Sequence, residues 1–511
     1  CGRTSTSPPS LLSRPLLPPA SVALTRQIRS LRIRYLVVFL CAFMADWLQG
    51  PYVYALYKSY GYNESTIEAL FVVGFGSSAL LGTCIGGWAD VIGRKRATLL
   101  YCFVYIACCA TKHFDSLPLL VLGRALGGIA TSLLFSVLES WLFHEHSKLN
   151  FENDLFSRRS LSKTLSLAQC GNSLVAILAG QLAQAAVSFT PLTPLTALTP
   201  HNTTDESDLI RFWYGGDILP FDLSAIVLLV CAACVSCLWD ENYGGHGQKR
   251  GLSIGGTSKS PSESPLGTSL LLDIPAAAAA PTTALSRWRA AFIDVLSNRS
   301  VLLLGITSAC FESSMYIFVI LWTPALSPSS SSVSLPCGLI FSTFMVCCMA
   351  GSCVYSLIAT HARDWSLHAL AFGMFLAGAA LSVPVWAPQH QDFKLAAFLL
   401  FEIVVGFYYP AMGTLKSAAV GNKNRASVYN IFRIPLNIIV CCVLLAQINS
   451  LRVKFAISVC LLLISTVSSC LLVIGGGIEG VAVDDEEEVE KEKETVVVVV
   501  GREHQPMGLL F

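Results

Sequence analysis

Charge is what this 511-residue chain has least of: Asp, Glu, Lys and Arg make up 13% of it, against roughly 25% in an ordinary soluble protein. With a hydrophobic share of 53%, that scarcity excludes a water-soluble globular protein and implies a chain that crosses a bilayer many times. The net charge is +1, and the basic residues are scattered between apolar segments rather than gathered on a soluble face, so nothing points to nucleic acid. The chain lacks a GxxxxGK[ST] loop, which excludes a nucleotide-driven pump within it, and no HExxH or GxSxG sits in an apolar segment, which excludes the usual intramembrane enzymes. Residues 1–34 contain no run near the roughly 20 apolar residues needed to span; they read as a flexible, truncated or processed start without a cleavable signal peptide.

Cysteine is not scarce, at 19 residues. Most of these lie inside apolar runs, as at Cys102, Cys108, Cys109, Cys347, Cys348, Cys441 and Cys442, where thiols serve as small polarizable packing groups rather than as a disulfide framework.

Apolar segments of spanning length recur at 35–56, 66–88, 97–114, 117–142, 161–187, 218–239, 301–325, 337–359, 367–387, 395–415, 427–447 and 455–477, which predicts about twelve transmembrane helices in an all-α protein. Residues 240–300, rich in Ser, Gly, Pro and Ala, read as a disordered linker dividing the helices into six-helix bundles over 35–239 and 301–477. Residues 478–511 carry Asp484 to Glu488 and a Lys/Glu run, an acidic disordered tail. With the start placed inside, the inner loops collect Arg26, Arg29, Arg32, Arg34, Arg94, Lys95, Arg96, Lys148, Lys249, Arg250, Lys416 and Lys423 among others, so the positive-inside rule predicts that both termini are cytoplasmic. The sequon at Asn202 then falls in a long outer loop and is the expected glycosylation site, whereas those at Asn63 and Asn298 are not expected to be modified.

Six charges stand out inside the apolar segments: Asp46, Arg124, Glu312, Glu402 and Arg433 in mid-span, and Glu139 near a helix end. A charge in hydrocarbon is costly enough that such residues normally face a polar pathway or a partner. Asp46 and Glu312 each lie about eleven residues into the first span of their half, about 16 Å from its inner end at helical rise. Arg124 and Glu402 share a depth in the fourth span of each half, each followed four residues later by glycine, Gly128 and Gly406. Matching depths in two halves are the mark of a duplicated transporter with a site at the midplane.

Between the second and third spans the chain reads Gly86-Gly87-Trp88-Ala89-Asp90-Val91-Ile92-Gly93-Arg94-Lys95. It resembles the signature loop of the major facilitator superfamily, with Val91 where a basic residue is usual. The resemblance implies that fold and a conformational gating role for Gly86, Asp90, Gly93, Arg94 and Lys95. Gly123-Arg124-Ala125-Leu126-Gly127-Gly128 is similar to the superfamily's fourth-helix arginine motif. These strings, with Ala45-Asp46-Trp47-Leu48-Gln49, Phe311-Glu312-Ser313, Leu321-Trp322-Thr323-Pro324, Phe432-Arg433-Ile434-Pro435-Leu436, His144-Glu145-His146 and Glu241-Asn242-Tyr243, resemble the eukaryotic molybdate-anion transporter family.

That resemblance implies uptake of molybdate, with tungstate or sulfate as chemically similar dianions, across the plasma membrane by alternating access of two halves. The residue chemistry is compatible. A desolvated dianion needs fixed positive charge, and the guanidinium fork can donate to two oxygens at once, so Arg124 and Arg433 are the expected anion ligands. Gln49, Asn172 and Asn437, with Tyr52, Gln169, Ser313 and Asn430, are the candidate polar shell. Asp46, Glu312 and Glu402 are candidates for proton coupling or for counter-ions to the arginines, and Glu139 for a gate. No metal or cofactor is expected: His144 and His146, two apart, do not share a helix face. A facilitator of another anion or an organic solute, and a membrane sensor or scaffold acting through its linker or tail, remain alternative readings.

Overall fold

The computed structural model of the chain describes residues 19–149, 154–195, 211–243, 292–293, 295–327, 335–361, 365–419, 425–446 and 448–475. In chain order the helices are α1 (Pro19–Gln49), the short α2 (Val53–Ser59), α3 (Glu64–Ile92), α4 (Arg94–Thr111), α5 (Leu117–Ser147), α6 (Asp154–Val187), α7 (Leu219–Leu238), α8 (Arg299–Leu326), α9 (Cys337–His361), α10 (Ser366–Trp386), α11 (Gln391–Ala419), α12 (Arg425–Leu445) and α13 (Leu451–Ile474). All but α2 have 18 residues or more, and among the described residues eight are long and apolar enough throughout to cross a membrane. Two three-residue strands, β1 (Thr193–Leu195) and β2 (Phe212–Tyr214), pair antiparallel in the connection between α6 and α7. Residues 244–291 of the linker, the tail and Asn202 lie outside the described residues.

The first helix starts earlier than its apolar run, at Pro19 rather than near 35. The reason is a stripe: Ile28, Leu31, Tyr35, Val38, Ala42 and Ala45 are all buried, alternating three and four apart. That one face docks on the other helices while Arg26, Arg29, Arg32 and Arg34 occupy the rest. The two sequons at which no modification is expected hold helix caps. Asn63 caps α3 by accepting from the Thr66 amide at 2.8 Å, and Asn298 caps α8 by accepting from the Ser300 and Val301 amides at 3.0 and 3.2 Å.

Six long helices precede the linker and six follow, and the two sets pack by the same device. In the first, Gly128 of α5 abuts the backbone of Gly74 on α3. In the second, Gly406 of α11 abuts the carbonyl of Cys348 on α9, and Gly351 abuts that of Ile403. None of these positions has room for a Cβ, so the glycines set how closely each helix pair approaches.

The ends of the bundle differ. At the end bearing β1 and β2, the hairpin end, one apolar core runs through both halves and joins Tyr52, Leu70 and Phe71 to Phe311, Phe318 and Phe398. Toward the other end, the linker end, the cores are separate. One is built from Leu31, Tyr35, Trp141 and Trp239 of the first half, the other from Val301, Val428, Ile431 and Phe432 of the second.

His113, just beyond α4, ties the hairpin end together. Its ring stacks on Phe212, with centroids 4.9 Å apart, while Nδ1 lies 3.0 Å from the Trp213 carbonyl and Nε2 2.8 Å from Asp222. Burial opposes the imidazolium, but the Asp222 carboxylate and the carbonyl outweigh it, and the His113 pKa is raised. A raised folded-state pKa means stability that is present at low pH and lost as pH climbs through that value. The thermal midpoint of the purified protein should therefore fall as pH rises above about 6.5, by more than in His113→Asn; identical pH profiles would remove the charged clamp.

Candidate functional site

The halves meet at the hairpin end through polar contacts that the sequence reading did not single out. Glu68 of α3 forms a buried ion pair with Lys454 of α13, and the two side chains are only 5% and 2% exposed. The Tyr52 hydroxyl donates to Gln184 Oε1 at 2.9 Å. The Gly338 amide at the start of α9 donates toward both the Tyr52 oxygen and Gln184, at 3.3 and 3.2 Å. Ser342 Oγ donates to the Ile177 carbonyl at 2.9 Å, and Gly180 and Gly338 interlock backbone to backbone. Trp47 packs on Phe341 and Phe75 on Tyr316. These contacts close the hairpin end, whereas toward the linker end the halves have separate apolar cores with the space between them.

On the second half's side of that space sit three ionisable groups. Arg433 of α12 is exposed and follows directly on Phe432, over whose ring the Lys416 ammonium lies. Asn437, four residues after Arg433, shares its helix face. Lys416 does not behave as the inner-loop cation the sequence suggested. It lies within α11 with its side chain only 15% exposed, its ammonium donates to Ser308 Oγ at 2.6 Å and reaches Glu312 Oε1 at 3.5 Å, and it packs over the Phe432 ring. The expectation that Glu312 serves as counter-ion to an arginine is corrected accordingly: its cation is Lys416, and Ser308 and Tyr408 donate to the same Oε1 at 2.6 and 2.8 Å.

Arg124 and Arg433 are likewise not the only cations drawn inside. Lys112, Lys394 and Lys454 are almost fully buried near the hairpin end, held by Tyr57, the Ala325 carbonyl and Glu68. Their flexible stems let an amine attached near a helix end reach an interior partner.

On the first half's side, Asp46 accepts a hydrogen bond from Tyr105 at 2.6 Å and meets neither arginine. Asn172 accepts from Trp47 Nε1 at 2.8 Å, leaving its amide nitrogen for another partner. Gln49, expected in the substrate shell, is 4% exposed and donates to Ser224 and the Ala45 carbonyl, joining α1 to α7. Arg124 donates to the Leu70 carbonyl at 3.2 Å and lies 4.7 Å over the Phe71 ring, against Gly74. It is built into the α3–α5 contact. Glu402 is 6% exposed beside Cys347 and Cys348, with no ion pair among the described residues. Glu139 is exposed and lines a cavity of about 330 Å³ with Tyr35, Phe39, Leu165, Ser166, Ala168 and Gln169.

The signature loop is fastened by a residue C-terminal to α7. Gly93 turns at φ +108°, beside the Glu241 carboxylate, and that carboxylate accepts from the Lys95 and Arg96 amides at 2.9 and 3.2 Å, capping the N-terminus of α4. Arg94 N donates to the Asn242 carbonyl at 2.9 Å, and Asn242 Nδ2 donates to Glu145 at 2.9 Å. Glu145 also accepts from Lys148, so the carboxylate of the His-Glu-His string is occupied. The side chains of Gly86 and Asp90 are outside the described set. Glu241→Ala should cost about 1–2 kcal/mol, the scale of a lost helix cap, seen as a lower thermal midpoint; an unchanged midpoint would show that the cap does not hold the loop.

Two helical sets with glycine-set pairs, a shared core at one end and a charged space open at the other define a multi-pass transporter of the major facilitator type. Comparison with known proteins agrees. Residues 19–201 and 280–403, more than half of the chain, match a family described as sugar transporters with 12 transmembrane segments. The molybdate-anion transporter of Takifugu rubripes is 32% identical over 452 residues, covering 85% of this chain and 83% of that protein. That of Danio rerio is 33% identical over 424 residues, covering 81% and 78%. Among solved structures, a point mutant of the nucleoside transporter NupG superposes with a TM-score of 0.59 at 10% identity, covering 87% of this chain and 99% of NupG. The peptide transporter POT in complex with sulfate gives 0.58 at 12%, covering 88% and 94%. The chain belongs to the molybdate-anion transporter family.

Proposed function

We propose that this protein carries molybdate across the plasma membrane by alternating access, with the hairpin end outside, both termini cytoplasmic and Asn202 available for glycosylation. The observation that carries the cargo assignment is the pair of basic side chains on the second half, Arg433 and Lys416, the latter held by Glu312. A tetrahedral dianion matches two converging cations, and Asn437 and the free amide of Asn172 supply further donors. Closure at the hairpin end is then the inward-facing state, held by Glu68–Lys454 and the Tyr52–Gln184–Gly338 contacts. Glu139 and the Gly93–Lys95 loop, on the cytoplasmic side, are assigned to gating.

Importing a dianion against an inside-negative potential costs about 2.3 kcal/mol per charge per 100 mV, so cations must accompany it. We assign that role to protons, with Asp46 and Glu402 as the acids beside the pathway. Asp46→Asn should flatten the dependence of uptake on external pH; a wild-type rate that ignores external pH would point to another driving ion.

The function is tested by labelled molybdate accumulation in cells expressing the chain, with tungstate, sulfate and a hexose as competitors. Saturable uptake suppressed by the oxyanions is expected. Suppression by the hexose alone would favour a sugar carrier, the reading suggested by the name of the matching family.

A further inference from the structure

We infer that the carboxylate of Glu312 occupies the oxyanion site of the empty carrier, and that molybdate binds by displacing it from Lys416. The inference rests on the oxyanion reading above. One oxygen of Glu312 collects the Ser308 hydroxyl at 2.6 Å, the Tyr408 hydroxyl at 2.8 Å and the Lys416 ammonium at 3.5 Å, and Lys416 donates in turn to Ser308 at 2.6 Å. Two neutral donors and an ammonium converging on one anionic oxygen are what an incoming oxyanion requires. The donors are fixed by packing: the Tyr408 ring stacks on Phe311 at 4.1 Å between centroids, and Phe432 backs Lys416 while filling the notch at Gly305. The site is neither sealed nor on the surface, with Glu312 and Lys416 side chains 18% and 15% exposed. Arg433 follows directly on Phe432, the residue whose ring backs Lys416.

A second cation is therefore available that the empty carrier keeps satisfied. Glu312 supplies a counter-charge to the Lys416 ammonium in the low-dielectric interior until the cargo replaces it. Affinity is then a competition between an internal carboxylate and an external dianion for the same three donors.

The competition predicts a change in opposite directions. In purified carrier held in lipid nanodiscs and titrated with molybdate, following ligand-dependent thermal stabilisation, Lys416→Met should weaken binding by roughly tenfold or more, the scale of one charge-assisted hydrogen bond. Glu312→Gln should tighten it, because the amide keeps the shape but releases the ammonium. If Lys416→Met alone fails to fold, the double variant Lys416→Met/Glu312→Gln removes the unpaired carboxylate; it should fold and still bind weakly. Unchanged or weaker binding in Glu312→Gln, or wild-type affinity in the double variant, would reduce the cluster to a structural ion pair and overturn the inference. Wild-type protein that ignores molybdate but responds to a hexose would instead overturn the oxyanion reading on which it rests.

Discussion

Gly338→Leu should abolish molybdate accumulation while leaving the protein in the membrane. Position 338 sits where α9 meets α6 backbone to backbone, against the Gly180 carbonyl and Gln184, with no room for a Cβ. Its amide also completes the contact with Tyr52 and Gln184. A leucine there must hold the halves apart at the hairpin end, and overpacking of this kind costs about 3 kcal/mol at the upper end of its usual range. The whole of that cost falls on the closed state, since the clash vanishes when the halves separate. Roughly a hundredfold of the closed population is lost at about 1.4 kcal/mol per factor of ten. The neighbouring Cys337 reports the shift directly: its thiol is 2% exposed when the end is closed. In Gly338→Leu it should react with a membrane-impermeant maleimide added outside, and Cys337→Ala in the same background should lose that labelling. Full uptake with Cys337 still protected would show that the hairpin-end contact is not the moving gate.

Much of the architecture was legible because hydrocarbon imposes a length on every crossing and permits few charges in it. Apolar runs located all twelve long helices, and Gly128 and Gly406 marked the repeat before their packing roles could be seen. What escaped was whatever depends on the reach of a side chain. Lys416 and Lys454 sit near helix ends, where sequence assigns a lysine to the interface. Only the fold reveals that Lys416 turns inward to Ser308 and Glu312, and that Lys454 bridges to Glu68, 386 residues away in the chain. Glu68 lies close to the start of the 66–88 segment and drew no reading from the sequence. Burial pattern does not announce partners, and for that reason Gln49 looked like a ligand although it joins α1 to α7. Glu241 and Asn242 were visible as part of a family string, but their attachment to the loop at Gly93 needed the return of the chain after α7. The one available signal was an acid after the sixth span, on the same predicted side as the basic loop four spans earlier.

The two intramembrane arginines should separate on substitution, and that separation bears most directly on what the carrier holds. Arg433→Ala should raise the KM for molybdate by roughly 10- to 100-fold, the equivalent of the about 1.5–3 kcal/mol assigned to a hydrogen bond to a charged group. Surface expression should stay near normal, because the side chain is exposed rather than part of the buried core. Arg433→Lys should recover only part of the loss, since an ammonium keeps the charge but not the planar fork. Arg124→Ala should behave in the opposite manner. Its guanidinium lies over Phe71, against Gly74 and under the Leu70 carbonyl, so truncation leaves a void in the α3–α5 contact and should lower thermal stability and maximal rate with KM close to wild type. A raised KM in Arg124→Ala at normal stability would return that residue to the binding site. A normal KM in Arg433→Ala, combined with a normal KM in Lys416→Met, would leave the dianion without a cation and send the search for its ligands to the first half, around Asn172 and Gln169.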